Sequence, residues 1–290
     1  MNTHVLTGVD GSEESTAAAR WAADEAVRQG LGLRVVHAQT WLDGLHADRG
    51  RSEEFRTLTA RMVADAARDV RAAHPDLDVR TDLLDGDDPV AALMAAAEDA
   101  DMLVVGSLGV GGFEGLLVGS VGLAAAARCE VPLVLVRAGE QERVTGPDTP
   151  EVVVGVDTGA PADQVLDFAF RQAASRRAVL RAVHGWTPPP VMAYPGWVGP
   201  GIETEPFRAV EAGLLTQALA PWREKYPAVT VVEDCRVAGG AGAVVDASGA
   251  ADLVVVGRRR RSHRLGMRLG PVAHAAIHHS TAPVAVVPHD

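Results

Sequence analysis

Val5-Leu6-Thr7-Gly8-Val9-Asp10 returns as Val152-Val153-Val154-Gly155-Val156-Asp157. Each stretch is a short apolar run that ends on glycine, one apolar residue and an acid. The echo continues in order. Val35-Val36-His37 is matched by Ala182-Val183-His184, and Asp101-Met102-Leu103-Val104-Val105-Gly106 by Asp252-Leu253-Val254-Val255-Val256-Gly257. Val131-Pro132-Leu133-Val134-Leu135-Val136 is matched by Ala282-Pro283-Val284-Ala285-Val286-Val287. The offset is 147 at Asp10/Asp157 and 151 at Gly106/Gly257, so the chain holds two copies of a whole domain that differ by one small net insertion. A short solenoid repeat has a much smaller period.

Within the first copy, apolar runs of strand length alternate with helical patterns. Val5–Val9 reads as a strand, and Ser12 as the cap of a helix that runs to about Gln29. Leu33–His37 is a strand, followed by a helix from about Glu53 to Ala73 and a strand over Val79–Leu84. Pro89 opens a short alanine-rich helix to Ala100, suited to the first helical turn. Met102–Val105, a helix starting near Ser120, and Leu133–Val136 complete the copy. Alternation of this kind predicts an α/β fold with parallel βαβ units: two tandem, doubly wound, five-stranded parallel sheets. The expected domains are residues 1–138 and 151–290, with 139–150 as a linker broken by Gly146-Pro147 and Pro150.

Composition agrees with two packed domains. The 290 residues are 47% hydrophobic but only 4% aromatic, so Ala, Val and Leu must fill the interior. A formal net charge of -11 argues against nucleic acid and anionic membrane as partners, since both need excess Lys and Arg. No stretch reaches the roughly 18 apolar residues of a membrane span, and Met1–Leu6 lacks a basic leader. Cys129 and Cys235 have no metal-ligand spacing and suit a reducing compartment. A cytoplasmic location is the expectation.

The chemistry lies after the fourth strand. Gly106-Ser107-Leu108-Gly109-Val110-Gly111-Gly112-Phe113-Glu114-Gly115-Leu116-Leu117-Val118-Gly119-Ser120-Val121 has the spacing G-x2-G-x9-G-S. Glycines let the backbone approach an anion, successive N–H groups form a nest, and the next helix begins at the loop's end. The loop also follows a strand's carboxyl end, where open α/β sheets bind ligands. A glycine-rich turn that only packs a helix on the sheet is the plainer reading. Walker A needs G-K-[ST], but Lys225, the only lysine, is far away. There is no dinucleotide fingerprint after the first strand and no nucleophile elbow.

With these motifs in view, the chain resembles a tandem-domain universal stress protein, similar to actinobacterial members. The residues that carry the resemblance are Val9-Asp10-Gly11-Ser12, the loop from Gly106 to Ser120, and Val131-Pro132-Leu133-Val134. It implies an adenine nucleotide alpha hydrolase-like fold with flavodoxin-like layering. ATP, accompanied by Mg2+, would lie across the strand ends. Gly8, Val9 and Asp10 would contact adenosine, Ala38 would flank adenine beside His37, and the loop residues Gly106, Ser107, Gly109, Gly111, Gly112, Gly119, Ser120 and Val121 would hold ribose and phosphates. It further implies a stress or signalling role with at most weak ATP hydrolysis, an intramolecular pseudo-dimer through the last strands, and a homodimer of chains as a further option. A slow ATPase and a nucleotide-independent scaffold are the alternatives. No catalytic residue or protein-held metal site is assigned. Asp10 also reads as a helix cap, and His37 and His184 as strand-end residues with a satisfied hydrogen bond.

The second copy keeps the spacing and changes the content. Gly155, Asp157, Gly257 and Gly270 persist as candidate ligand contacts, but Arg260 stands where Gly109 stands, Pro271 replaces Ser120, and Thr158-Gly159 replaces Gly11-Ser12. Guanidinium groups could line an anion pocket here, or the site could be lost to a solvated basic loop. A nucleic-acid patch is disfavoured by the overall charge. The connection Thr187 to Gly201, with Tyr194 and Trp197, reads as a solvated loop or as a lid over a ligand.

Overall fold

The computed structural model describes residues 4–40, 49–109, 118–139, 149–187, 205–260 and 269–290. The chain divides into two compact units, Met1–Gln141 and Glu142–Asp290. Residues 140–148 of the expected linker lie outside the described residues.

In unit 1 the elements are β1 (His4–Gly8), α1 (Glu13–Gln29), β2 (Gly32–Thr40), α2 (Arg49–Ala73), β3 (Val79–Gly86), α3 (Pro89–Ala97), β4 (Met102–Gly106), α4 (Ser120–Arg128) and β5 (Leu133–Val136). Local chemistry sets the helix ends. The Ser12 side chain accepts the Ser15 N–H, Glu13 and Glu14 complement the positive helix start, and Gly30 closes α1 in the left-handed conformation at φ 67°. Asp88 accepts the Val90 N–H and Pro89 takes the first turn of α3.

The strand order is β3-β2-β1-β4-β5, and the pairs are parallel. The order therefore reverses at β1 and β4, which places a switch point between their carboxyl ends. Val5, Leu6, Val35, Val36, Leu103 and Val104 are almost wholly buried in the sheet, and Ala18, Ala22, Ala23 and Ala26 of α1 pack on it. Burial on both faces accounts for continuous apolar strands rather than alternating ones.

Unit 2 repeats this plan with β6 (Glu151–Gly155), α5 (Asp163–Arg176), β7 (Val179–Trp186), α6 (Glu205–Lys225), β8 (Val231–Val237), α7 (Gly240–Ala247), β9 (Leu253–Arg259), α8 (Pro271–His279) and β10 (Val284–His289). Its order is β8-β7-β6-β9-β10. Here two of the few aromatics enter the core: Phe168 and Phe170 of α5 are fully buried, and Phe170 stacks on Trp222 of α6 and on Tyr226 just beyond its end. The single lysine ties the same helices together, since Lys225 Nζ lies 2.6 Å from Asp167 Oδ1.

A charge ladder crosses the unit 2 sheet. Arg181 on β7 donates to both Glu151 oxygens on β6, at 3.0 and 2.8 Å, and Arg236 grips Asp234 on β8 at 2.9 and 2.6 Å. The Arg236 bonds hold the Asp234 carboxyl below the usual carboxylate range, against the opposing effect of burial, with Arg181 assisting. A depressed folded pKa means that the unfolded state binds more protons in acid. The contribution is full above the ordinary carboxylate range and is lost as pH falls through the lower folded value. Asp234→Asn should therefore lower unit 2 stability at neutral pH and flatten its acid dependence. Urea titrations at neutral pH and at about pH 3 to 4, the range of ordinary carboxylate titration, check this; parallel pH profiles for both proteins would count against it.

Candidate nucleotide site

Asp10 follows β1 by two residues and stands at the switch point. Its Oδ1 accepts both the Ser12 N–H, at 3.0 Å, and the Ser12 hydroxyl, at 2.6 Å. That turn requires Gly11, whose φ is 87°, a region that L side chains rarely adopt. Ser12 in turn caps α1 through the Ser15 N–H at 3.1 Å. The acid thus supports the cap through one oxygen, while its other oxygen faces Gly109 in the loop after β4. A Cβ added to Gly109 would stand 2.5 Å from Asp10 Oδ2. The strand-end acid and the glycine loop therefore meet across the switch point, and only glycine fits there without displacing the carboxylate.

The two ends of the loop also meet. The Gly119 N–H donates to the Ser107 carbonyl at 2.7 Å, and the Ser107 N–H to the Val136 carbonyl at 2.7 Å. Ser107 is buried at 3% exposure. Gly119 is the N-cap of α4 and makes no side-chain cap bond. The first N–H groups of a helix have no intrahelical partner, so those of Ser120 and Val121 can serve an anion. Gly111 and Gly112 lie outside the described residues.

Gly106 has a different reason for being glycine. Its Cβ would come within 2.8 to 2.9 Å of the Glu14 carbonyl carbon, Glu14 Cβ and Ser15 N. The end of β4 is pressed against the first turn of α1, so this glycine seats the helix that Asp10 and Ser12 begin. Gly8 faces Leu93 of α3, and Val9 bonds to the Val36 carbonyl at 2.8 Å. Ala38 lies beyond the last β1 partner of β2, paired with Leu84 of β3. His37 donates from Nδ1 to the Val9 carbonyl at 2.7 Å, a strand-end bond that fixes the ring.

Unit 2 builds the matching place differently. Thr158 replaces Gly11, and Arg177 is the only non-glycine with positive φ among the described residues. The turn after β6 is accordingly reshaped. Asp157 still accepts the Gly159 N–H at 3.0 Å, but it is exposed, and α5 starts only at Asp163 with no side-chain cap. His184 keeps the strand-end bond, from Nδ1 to the Val156 carbonyl at 3.0 Å, and its Nε2 lies 3.2 Å from Glu211 of α6. A cavity of about 410 Å³ opens at these strand ends, and Gly155, Asp157, Gly257 and Gly270 line it. So do Arg259 and His289, which the sequence reading did not single out. Their signal was present in the alignment of the two copies, where Arg259 matches Leu108 and His289 matches Ala138. Arg261 to Arg268, and Tyr194 and Trp197, lie outside the described residues. Among the described residues no cluster of three His, Cys, Asp or Glu could hold a metal ion, and no helix is long and apolar enough to cross a membrane.

The sequence matches the model of the Universal stress protein family over residues 1–137 and 150–288. Universal stress proteins of Mycobacterium bovis and Mycobacterium tuberculosis are each 31% identical to it over 290 residues, covering 97% of this chain and 96% of theirs. Among solved structures, a universal stress protein from Archaeoglobus fulgidus aligns over 100% of both chains with a TM-score of 0.70 at 17% identity. A putative universal stress protein from Pseudomonas aeruginosa aligns over 100% of this chain and 94% of its own, with a TM-score of 0.58 at 14% identity. These two likenesses establish the fold.

Proposed function

Since this chain belongs to the universal stress protein family, we propose that unit 1 binds ATP at the switch point and acts as a nucleotide-binding stress or signalling module rather than as an enzyme. The observation that carries the reading is the meeting of Asp10 and Gly109, where a Cβ would stand 2.5 Å from the carboxylate. A glycine that only packed a helix on the sheet would face apolar side chains or backbone. This one faces an acid at the place where open α/β sheets take ligands. Asp10, Gly8 and Val9 would hold adenosine, with Ala38 beside the base. Ser107, Gly109, Gly119, Ser120 and Val121 would hold ribose and phosphates, which suit a helix start without a side-chain cap.

Catalysis has less support. Among the described residues the site holds no lysine on the phosphates and no metal cluster, and His37 is engaged with the Val9 carbonyl. Mg2+ would arrive with the triphosphate, and Asp10 is an acid that could help to hold it there. We locate the protein in the cytoplasm and regard small-molecule binding, not nucleic acid, as its chemistry. ATP binding and phosphate release measured on the same sample separate the readings. Saturable binding without steady release is expected. Steady release that Asp10→Asn abolishes while binding persists would establish the slow ATPase instead, and absence of binding would leave the scaffold.

A further inference from the structure

We propose that the unit 2 cavity is an anion site of a different kind, which takes a nucleoside monophosphate and reads its phosphate with Arg259 and His289. This rests on the nucleotide reading of unit 1 for the nucleoside part of the ligand; the anion-reading part stands on unit 2 alone.

The backbone of unit 2 gives up part of the phosphate cradle. In unit 1 the β4–β5 pairing stops at Gly106 and Val136, and the chain turns away through Ser107 and Leu108. In unit 2 the pairing continues for two more residues, through Arg258 with Pro288 and Arg259 with His289. Pro271 also removes one N–H from the start of α8.

An arginine and a histidine side chain arrive in its place. Arg259 and His289 are register partners on neighbouring parallel strands, so their side chains leave the sheet on the same face, about 5 Å apart at the backbone. Arg259 is exposed at the cavity and its side chain makes no hydrogen bond or ion pair with other described residues. His289 is 9% exposed and lines the cavity. Its Nδ1 donates to a main-chain oxygen of Asp290 at 3.0 Å, while Nε2 lacks a hydrogen-bond partner among the described residues. The imidazole reaches back over Gly257, where a Cβ would stand 2.9 Å from Nε2. In unit 1 the backbone of the first turn of α1 fills that space; here the ring shares it with the Val165 side chain of α5, 3.1 Å from the same point.

The start of α8, with Gly270 as a cap that has no side-chain bond, faces the same cavity. Arg259, His289 and the remaining α8 N–H groups make a compact set of donors suited to one phosphate. Val156, Val183 and Val244 supply the apolar wall for a base. Asp157 stands at the β6 end, where its carboxylate suits sugar hydroxyls.

The test uses the full chain carrying Gly109→Arg, which disables unit 1, and equilibrium dialysis with AMP, adenosine and ATP. Arg259→Leu and His289→Ala install the residues that unit 1 has at these positions. Together they should weaken AMP at least about tenfold and adenosine by less than about threefold, as expected for loss of charge-assisted bonds to phosphate alone. Arg259→Leu by itself, at an exposed side chain that the fold does not need, should reproduce most of the AMP loss. Equal losses for AMP and adenosine would make His289 a packing residue. No loss, or no AMP binding to the Gly109→Arg chain, would also overturn the proposal. Failure of the unit 1 reading appears separately, as ATP binding that Gly109→Arg does not change in the chain with wild-type Arg259 and His289.

Discussion

Gly106→Ala should lower the stability of unit 1 by about 2 kcal/mol, within the cost of overpacking a tight contact. The added methyl would meet the Glu14 carbonyl carbon and Glu14 Cβ at 2.8 Å and Ser15 N at 2.9 Å. Two of these are backbone atoms in the first turn of α1, which is itself pinned by the Ser12 cap. They cannot rotate away as a side chain could. Relief requires α1 to slide along the sheet, against buried Ala18 and Ala22. Urea unfolding followed by circular dichroism should show unfolding of unit 1 at lower urea, with that of unit 2 in place. An unchanged profile would mean that the close approach of β4 to α1 is absent in solution. The same substitution should also weaken nucleotide binding, but indirectly, so it is a poor probe of the site.

Gly106 also illustrates what could be read from the sequence. Its membership of the G-x2-G-x9-G-S pattern was visible, and a role against phosphate was the natural inference. The contact with Glu14 was not visible, because it joins residues 92 positions apart and depends on how α1 is docked. Elements fixed by local chemistry were legible: Ser12 and Gly30 bound α1, and Pro89 opens α3. Helix α2 begins at Arg49 rather than near Glu53, and β2 runs on to Thr40 rather than ending at His37. The β2 extension exists because Gln39 and Thr40 find partners in Asp85 and Gly86, which is a matter of register rather than of propensity.

The second copy was legible in spacing but not in geometry. Arg258 and Arg259 are poor strand signals, and a proline partner at Pro288 argues against pairing. The register of β9 with β10 overrides both. Hence Arg259 and His289 became neighbours although 30 residues separate them, and the sequence offered only their mismatch with Leu108 and Ala138.

Gly109→Arg carries the largest expected effect on binding. It places in unit 1 the residue that Arg260 supplies in unit 2. The first side-chain atom alone would stand 2.5 Å from Asp10 Oδ2, so the carboxylate must leave its position. Asp10 also holds Ser12, so its displacement disturbs the turn that shapes the site as well as the phosphate approach. Stability should suffer little, since the neighbour that must give is a half-buried side chain rather than backbone. ATP affinity at unit 1 should fall about a hundredfold, equivalent to two or three lost polar contacts.

The decisive measurement is therefore the ATP isotherm of the full chain, wild type against Gly109→Arg, with folding of both checked by thermal melts. A saturable unit 1 site is expected in the wild type, removed by Gly109→Arg while the melts remain alike. An unchanged isotherm in a folded Gly109→Arg chain would contradict it, because the meeting of Asp10 and Gly109 could then not be where the nucleotide binds.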